Sequence, residues 1–272
     1  MKFVIFSDIH YMQGEKPLCN WYKNTKRKLT ELATPIMEKL IAQINAMKPD
    51  LVVNLGDLIE DLNDHDADVK NLEHIWNMLK SITPPFYSIT GNHDLRTLSR
   101  AEVAHIMGYK NPTFSVDARG YHFVFLGLSS TIEKTDNLGG IKKTRVLPEE
   151  DLAWLRADLK KNKLPCVVFH HYGLAEDDMR GNWWFEANPQ NALLKNRAEV
   201  KAILKTDPNL LCVFSGHQHW TKTIIEDGIP YHVIGSLTED INGNGVPDGI
   251  WFEVDLKDRD VKITKHKVEV KV

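Results

Sequence analysis

Cysteine is scarce in this chain: three in 272 residues, Cys19, Cys166 and Cys212, an odd and scattered set. Two of them sit inside apolar runs, so they read as small core residues in a reducing compartment, not as a disulfide framework. Long hydrophobic runs are missing as well. The opening MKFVIFSDIH turns polar by Asp8, too short for a signal-peptide core, and no later stretch approaches the ~20 apolar residues of a membrane span. Nor is there an excess of either charge. Lys and Arg number 34 against 37 Asp and Glu, a net −3, which gives polyanions no general attraction. Internal repeats and low-complexity linkers are also absent. What is present is a chain 42% hydrophobic, enough for a sizeable core, and the expectation is one domain over residues 1–272 in the cytoplasm.

Apolar periodicity gives strand, helix, strand, helix, strand, helix, and then a strand-rich second half broken by helices. FVIF (3–6), LVVN (51–54), FYSIT (86–90), CVVF (166–169) and LLCVF (210–214) read as buried strands. Thr34 as N-cap and Pro35 in the first turn predict a helix over 35–47. Helical spacing recurs over 66–79, Ser99 caps a short helix ending at Gly108, and Pro148 opens another through Leu159. Helical material is expected over 190–204, and TFSVD and YHFVFLGL pair through the turn ARG.

The ends of the five buried strands share one chemistry. The first runs into Asp8 and His10, the second into Asp57, the third into Asn92, His93 and Asp94, the fourth into His170 and His171, and the fifth into His217 and His219. Sites in open α/β sheets collect at carboxyl ends of strands. Carboxylates, an amide oxygen and imidazoles together suit Mn, Fe, Zn or Co. Asp8, His10, Asp57, Asn92, His170, His217 and His219 are more groups than one cation holds; a pair about 3.5–4 Å apart sharing one carboxylate would use them all. Any single strand end can be an ordinary capped turn, but five together are not explained that way.

In order, these blocks are D-x-H, G-D, G-N-H-D, H and G-H-x-H, and they resemble the calcineurin-like metallophosphoesterase superfamily over about four fifths of the chain. The motif order is similar to the class III cyclic nucleotide phosphodiesterase and glycerophosphodiesterase branch. The resemblance implies an α/β, four-layer α-β-β-α sandwich of two mixed sheets flanked by helices. It implies one metal on Asp8, His10, Asp57 and His219, and another on Asp57, Asn92, His170 and His217, with Asp57 bridging. Purple acid phosphatases carry a tyrosine ligand three residues after the bridging aspartate; Glu60 stands there, so a tyrosinate colour is not expected.

Two such cations, Mn, Fe or Zn, would acidify a shared water, and the resulting hydroxide would attack phosphorus in line with the leaving oxygen. His93 is placed to assist that oxygen, and Asp94 to orient His93 or to pack behind a ligand. His171, adjacent to a ligand at a strand end, is expected to face the other way. His65, His74, His105, His122, His232 and His266 lack any such context.

Two loops near the strand ends combine aromatic and basic groups. Trp21, Tyr22, Trp183, Trp184 and Phe185 can stack on a base or fill the underside of their own loops, and Arg180 and Lys23 can meet a phosphate. Asp240 to Gly245 matches the start of a calcium loop, but Trp251 stands where the closing glutamate belongs, so a turn between strands is expected. The leading function is hydrolysis of small phosphodiesters, with a phosphomonoesterase as the alternative. A non-catalytic metal-binding scaffold is argued against by the filled ligand positions, and a nuclease by the net charge. No membrane or nucleic-acid partner is expected; a homo-oligomer could shape the pocket.

Overall fold

A computed structural model describes the backbone of residues 1–13, 21–22, 25–133 and 142–270, with the side chains of 21–22, 130–133 and 142–144 left aside. Strands β1 (Lys2–Phe6), β2 (Leu51–Asn54) and β3 (Phe86–Ser88) alternate with helices α1 (Ala33–Met47) and α2 (His65–Leu79), and α3 (Arg100–Met107) follows. Then come β4 (Phe114–Ala118), β5 (Tyr121–Leu126), α4 (Glu149–Lys161), β6 (Cys166–His170), α5 (Arg197–Leu204), β7 (Leu210–Ser215), β8 (Lys222–Glu226), β9 (Ile229–Val233), β10 (Ile250–Lys257) and β11 (Asp260–Lys267).

The strands form two mixed sheets in the orders β11-β10-β1-β2-β3 and β8-β9-β7-β6-β5-β4. The helix-connected strands β1, β2 and β3 are parallel, as are β5, β6 and β7, whereas β10, β11, β4 and β8 pair antiparallel with their neighbours. Side-chain alternation divides the core into layers. Phe3, Ile5, Leu51 and Val53 of one sheet meet Phe123, Phe125, Val167, Phe169 and Phe214 of the other. Phe3 stands edge-on to Phe123, Phe169 and Phe214 with centroids 5.7–6.0 Å apart. Each such buried ring contributes about 1.5–3 kcal/mol relative to exposure. The alternate residues, Val4, Phe6, Val52, Val124, Val168 and Val213, face outward onto helix residues such as Ile36, Leu40, Ile75, Leu155 and Val200. The four-layer sandwich implied by the resemblance is the fold observed. No helix among the described residues is long and apolar enough to cross a membrane.

Ser99 caps helix α3 as expected, and Glu102 closes a capping box with it. Two expectations are corrected. Thr34 does not cap α1, which begins at Ala33 because a 3₁₀ turn over Thr30–Leu32 feeds directly into it. The 190–204 segment divides into a 3₁₀ turn, Pro189–Ala192, and α5.

His122, on the helix-facing side of β5, ties three elements together. Its Nδ1 bonds Asp117 of β4 at 2.6 Å and its Nε2 bonds Asp158 of α4 at 2.7 Å. Burial pulls its pKa down, but the bonds and charges of Asp158 and Asp117 outweigh that and raise it. The folded chain therefore holds this proton more tightly than the unfolded chain, and the stabilisation is complete below the unfolded value of about 6.5. It fades as pH rises through the higher folded value. His122→Phe is expected to cost about 1–3 kcal/mol in urea unfolding at about pH 5.5 and less at about pH 9. The same cost at both pH values would contradict the paired imidazolium.

Candidate metal centre

The buried ends of both sheets open on the same side, and the turns that follow them are strained. Asp8, His10, Asp57, His217 and His219 all have positive φ, from 49° to 66°. Each such residue costs roughly 1–2 kcal/mol, so the surroundings must hold it there. Backbone bonds do part of this: Asp8 N–H to Gly56 O, His10 N–H to Asp57 O and Gly216 N–H to His171 O, at 3.0–3.1 Å. Two glycines permit the close packing. A Cβ on Gly91 would lie 2.1 Å from Asp57 Oδ1, and one on Gly216 would lie 2.0 Å from Ser7 Oγ.

The imidazoles are oriented from behind. His10 Nδ1 lies 3.0 Å from Glu60 Oε2, and His219 Nδ1 lies 2.8 Å from Glu239 Oε2. A carboxylate only accepts, so His219 Nδ1 carries the proton, and the close approach of Glu60 favours the same tautomer for His10; both Nε2 atoms then present lone pairs. Yet those two Nε2 atoms are 2.9 Å apart, and Asp8 Oδ1, buried without a hydrogen bond, is 3.3 Å from His219 Nε2 and 3.8 Å from that of His10. Three electron-rich atoms face one point.

A second convergence lies across Asp57. His171 donates from Nδ1 to Leu55 O at 2.7 Å, which turns its Nε2 toward Asp57 Oδ2 at 3.3 Å and Asn92 Oδ1 at 3.2 Å. His217 donates from Nε2 to Asn191 O at 3.0 Å, leaving Nδ1 as its lone pair. Asp8, His10 and His219 form one group whose ligand atoms lie within 4.8 Å of one another, and Asp57, His171 and His217 form another.

The protonation pattern records the same crowding of lone pairs. Burial works against a charged His219, but Asp8 and Glu239 push its pKa up to about 10. Burial and the Lys28 charge hold His10 down at about 4. Burial likewise opposes a charged His171, which Asp57 and Asp8 nevertheless raise to about 9. Burial would raise Asp57, but the charges of His171 and His93 keep it well below the usual carboxylate range. The same buried carboxylates that favour protons on His219 and His171 would favour cations at those points. The donor set of carboxylate, amide oxygen and imidazole fits a pair of transition-metal ions.

Most of the strand-end residues are where the sequence placed them, with one exchange. His170 is not at the centre: its ring is buried, Nδ1 bonds Tyr172 O at 2.9 Å, and His171 stands beside Asp57 and Asn92 instead. The cause is strand parity. Val167 and Phe169 face the other sheet, so His171 continues that face while His170 continues the helix-facing row of Val168.

His93 stays beside the centre, with its ring 4.9 Å from that of His10 and its N–H on Asp57 Oδ1 at 2.8 Å. Its Nδ1 bonds Asp61 Oδ2 at 2.7 Å, so Asp61 orients it and Asp94 does not. Asp94 packs behind the ligand loop, accepting N–H groups of Leu58, Ile59 and Gly91 at 2.8–3.2 Å. Burial raises its pKa to about 7, with Asp57 adding to the effect.

A cleft of about 300 Å³ covers the centre, lined by Lys28, Asp57, Glu60, Asn92, His93, Arg96, Trp184, Phe185, His217 and His219. Arg180 is not among them; it is solvent-exposed and pairs with Asp178 at 3.2 Å. Trp183 stands behind the wall instead of in it, with Arg27 4.0 Å over its ring. The side chains of Trp21 and Tyr22, like Lys23, lie outside the described residues. Asp61 and Glu239 were missed in the sequence, and Glu60 was noted there only as standing in place of a tyrosine ligand. Glu60 and Asp61 follow Asp57 closely, a signal that could have found them; Glu239, twenty residues past His219, offered none.

The sequence pattern of the calcineurin-like phosphoesterase family matches residues 1–221, and the chain belongs to that family. A protein of Arcobacter nitrofigilis named probable glycerophosphodiester phosphodiesterase is 28% identical over 200 residues, 68% of this chain and 65% of its own length. A Moraxella catarrhalis protein named probable cyclic nucleotide phosphodiesterase is 24% identical over 219 residues, 75% of this chain and 71% of its own. The crystal structure of a dimetal phosphatase from Danio rerio superposes with a TM-score of 0.73 at 17% identity, covering 97% of this chain and 98% of that one, a likeness of fold.

Elemental analysis after metal loading will distinguish the adjacent histidines. His171→Ala is expected to lose about one of two bound ions, and His170→Ala to keep both. Glu239→Gln is expected to weaken binding about 10–100-fold in a competitive chelator titration. Loss of an ion from His170→Ala alone would refute the assignment.

Proposed function

We propose that the chain hydrolyses small phosphodiesters, of the cyclic nucleotide, glycerophosphodiester or nucleotide-derivative class, at a binuclear metal centre. The observation that carries this is the facing pair of imidazole lone pairs at 2.9 Å, set against buried Asp8 and sharing a cleft with Asp57 and His93. Asp8, His10 and His219 would hold one ion, Asn92, His171 and His217 the other, and Asp57 both. Bound there, the pair supplies Lewis acidity, which acidifies water and offsets charge on phosphoryl oxygens.

The remaining chemistry belongs to side chains. Asp61 fixes His93 Nδ1 as a donor, so Nε2 is the ring nitrogen that can hold a proton for the departing oxygen. Glu60, 3.0 Å from His10 Nδ1 and in a buried ion pair with Lys28, keeps a ligand and a cleft cation in register. Arg96 and Lys28 bring positive charge to the cleft that receives an anionic ester. The names of the two curated relatives support a diester; a phosphomonoesterase on the same centre is the alternative. The buried thiols Cys166 and Cys212 suit a reducing compartment, and we place the protein in the cytoplasm.

With Mn²⁺ added, bis(p-nitrophenyl) phosphate is expected to be turned over faster than p-nitrophenyl phosphate; the reverse order would establish the monoesterase. His93→Ala should retain both ions yet lower kcat about 10²–10⁴-fold on esters with poor leaving groups. Undiminished kcat on such an ester would remove His93 from the reaction.

A further inference from the structure

The sequence of Asp240 to Gly245 resembles the opening of a calcium loop, and the structure shows a different cation there. The Asp240 carboxylate accepts the N–H groups of Gly243, Asn244 and Gly245 at 2.7–3.1 Å, which folds the turn back on itself. The carbonyls of Asp240 and Ile241 then face outward, and both accept from Arg27 Nη1, at 2.9 and 3.0 Å. A Cβ on Gly243 would lie 3.1 Å from that nitrogen, so the turn closes tightly on the guanidinium. Arg27 is itself held in line: Asp240 N–H donates to its carbonyl at 2.6 Å, and Leu29 N–H to Thr238 O at 2.9 Å.

The guanidinium so anchored lies over Trp183, 4.0 Å from the ring centroid, a cation–π contact made from a buried position. The next residue, Trp184, lines the metal cleft. Its Nε1–H donates to Glu239 Oε1 at 3.1 Å, while the other oxygen of Glu239 holds His219. Buried Asn182 accepts the N–H groups of Trp184 and Phe185 at 3.0 and 3.2 Å, and donates to Gln218 O at 2.9 Å. Trp184 is therefore held by its edge and backbone as a wall of the cleft, its ring centroid 6.5 Å from that of His219 and Lys28 Nζ 5.7 Å over the ring. An aromatic surface beside a phosphate site suits the planar base of a nucleotide, which stacks on such rings.

Building on the phosphoesterase reading, we propose that the Asp240–Gly245 turn, Arg27 and Trp183 form a brace that sets Trp184 as the surface on which the base of a nucleoside phosphate stacks. The substrate class is then a nucleotide ester in preference to a glycerol ester. Arg27 and Trp183 are positioning residues that act through Trp184.

The test measures binding, so it does not depend on turnover. Manganese-loaded full-length protein is titrated with adenosine 5′-monophosphate and with glycerol 3-phosphate, which share the phosphate and differ in the base. Wild type is expected to prefer the nucleotide about 10-fold, the scale of one stacked base. Arg27→Met and Trp183→Leu should each bring that ratio close to one, while circular dichroism melting verifies the fold. Should Arg27→Met fail to fold, Trp183→Leu decides, because it leaves the turn and its carbonyl bonds intact. A wild-type ratio near one, or an unchanged ratio in a folded variant, overturns the proposal. Preference for the nucleotide without hydrolysis of any ester would sink the phosphoesterase reading and leave this one standing.

Discussion

The arrangement depends on two carboxylates that never reach the cleft centre. Glu239 accepts the Nδ1–H of His219 and Glu60 lies 3.0 Å from Nδ1 of His10, an orientation that turns the two Nε2 atoms toward each other at 2.9 Å. In a low-dielectric interior such a juxtaposition is unfavourable unless positive charge lies between the atoms. A proton on His219 is one solution, and a metal ion is the other. The left-handed turns serve the same end, since they swing side chains from the ends of separate strands onto one locus. The buried phenylalanines between the sheets hold those ends in register, so packing and ligand geometry are a single constraint.

Much of this was legible in the sequence because strand termini, glycine turns and metal-ligand chemistry all leave local marks. Asp8, His10, Asp57, Asn92, His217 and His219 converge as the strand-end pattern indicates. The histidine pair shows where local reasoning gave way. Alternation was the right rule, but its parity depends on which face of β6 meets the other sheet, and CVVF is apolar on both faces. Arg180 failed for a different reason. Its loop does reach the cleft, but through the indole and phenyl rings, while the arginine points to solvent and the cleft takes its charge from Arg96 and from Lys28, far away in the chain. Glu239 was unreadable because it arrives from beyond β9, with no spacing to connect it to His219.

The tryptophan pair illustrates how one loop can divide its labour. Trp183 turns inward to a buried guanidinium and Trp184 outward to the cleft, so neighbouring identical residues do opposite work. Arg27 and Lys28 mirror them, the first over the Trp183 ring and the second over that of Trp184, where it also pairs with Glu60. Side chains that a composition count would pool as an aromatic and basic surface are thus largely committed to internal contacts.

The candidate centre also straddles a seam. Asp8, His10, Asp57 and Asn92 hang from one sheet, whereas His171, His217 and His219 hang from the other. Ions gripped from both sides would act as rivets between layers otherwise joined by greasy contact, and their binding energy would add to folding by mass action. A chelator would then loosen the two halves of the sandwich at the edge where those strand ends meet.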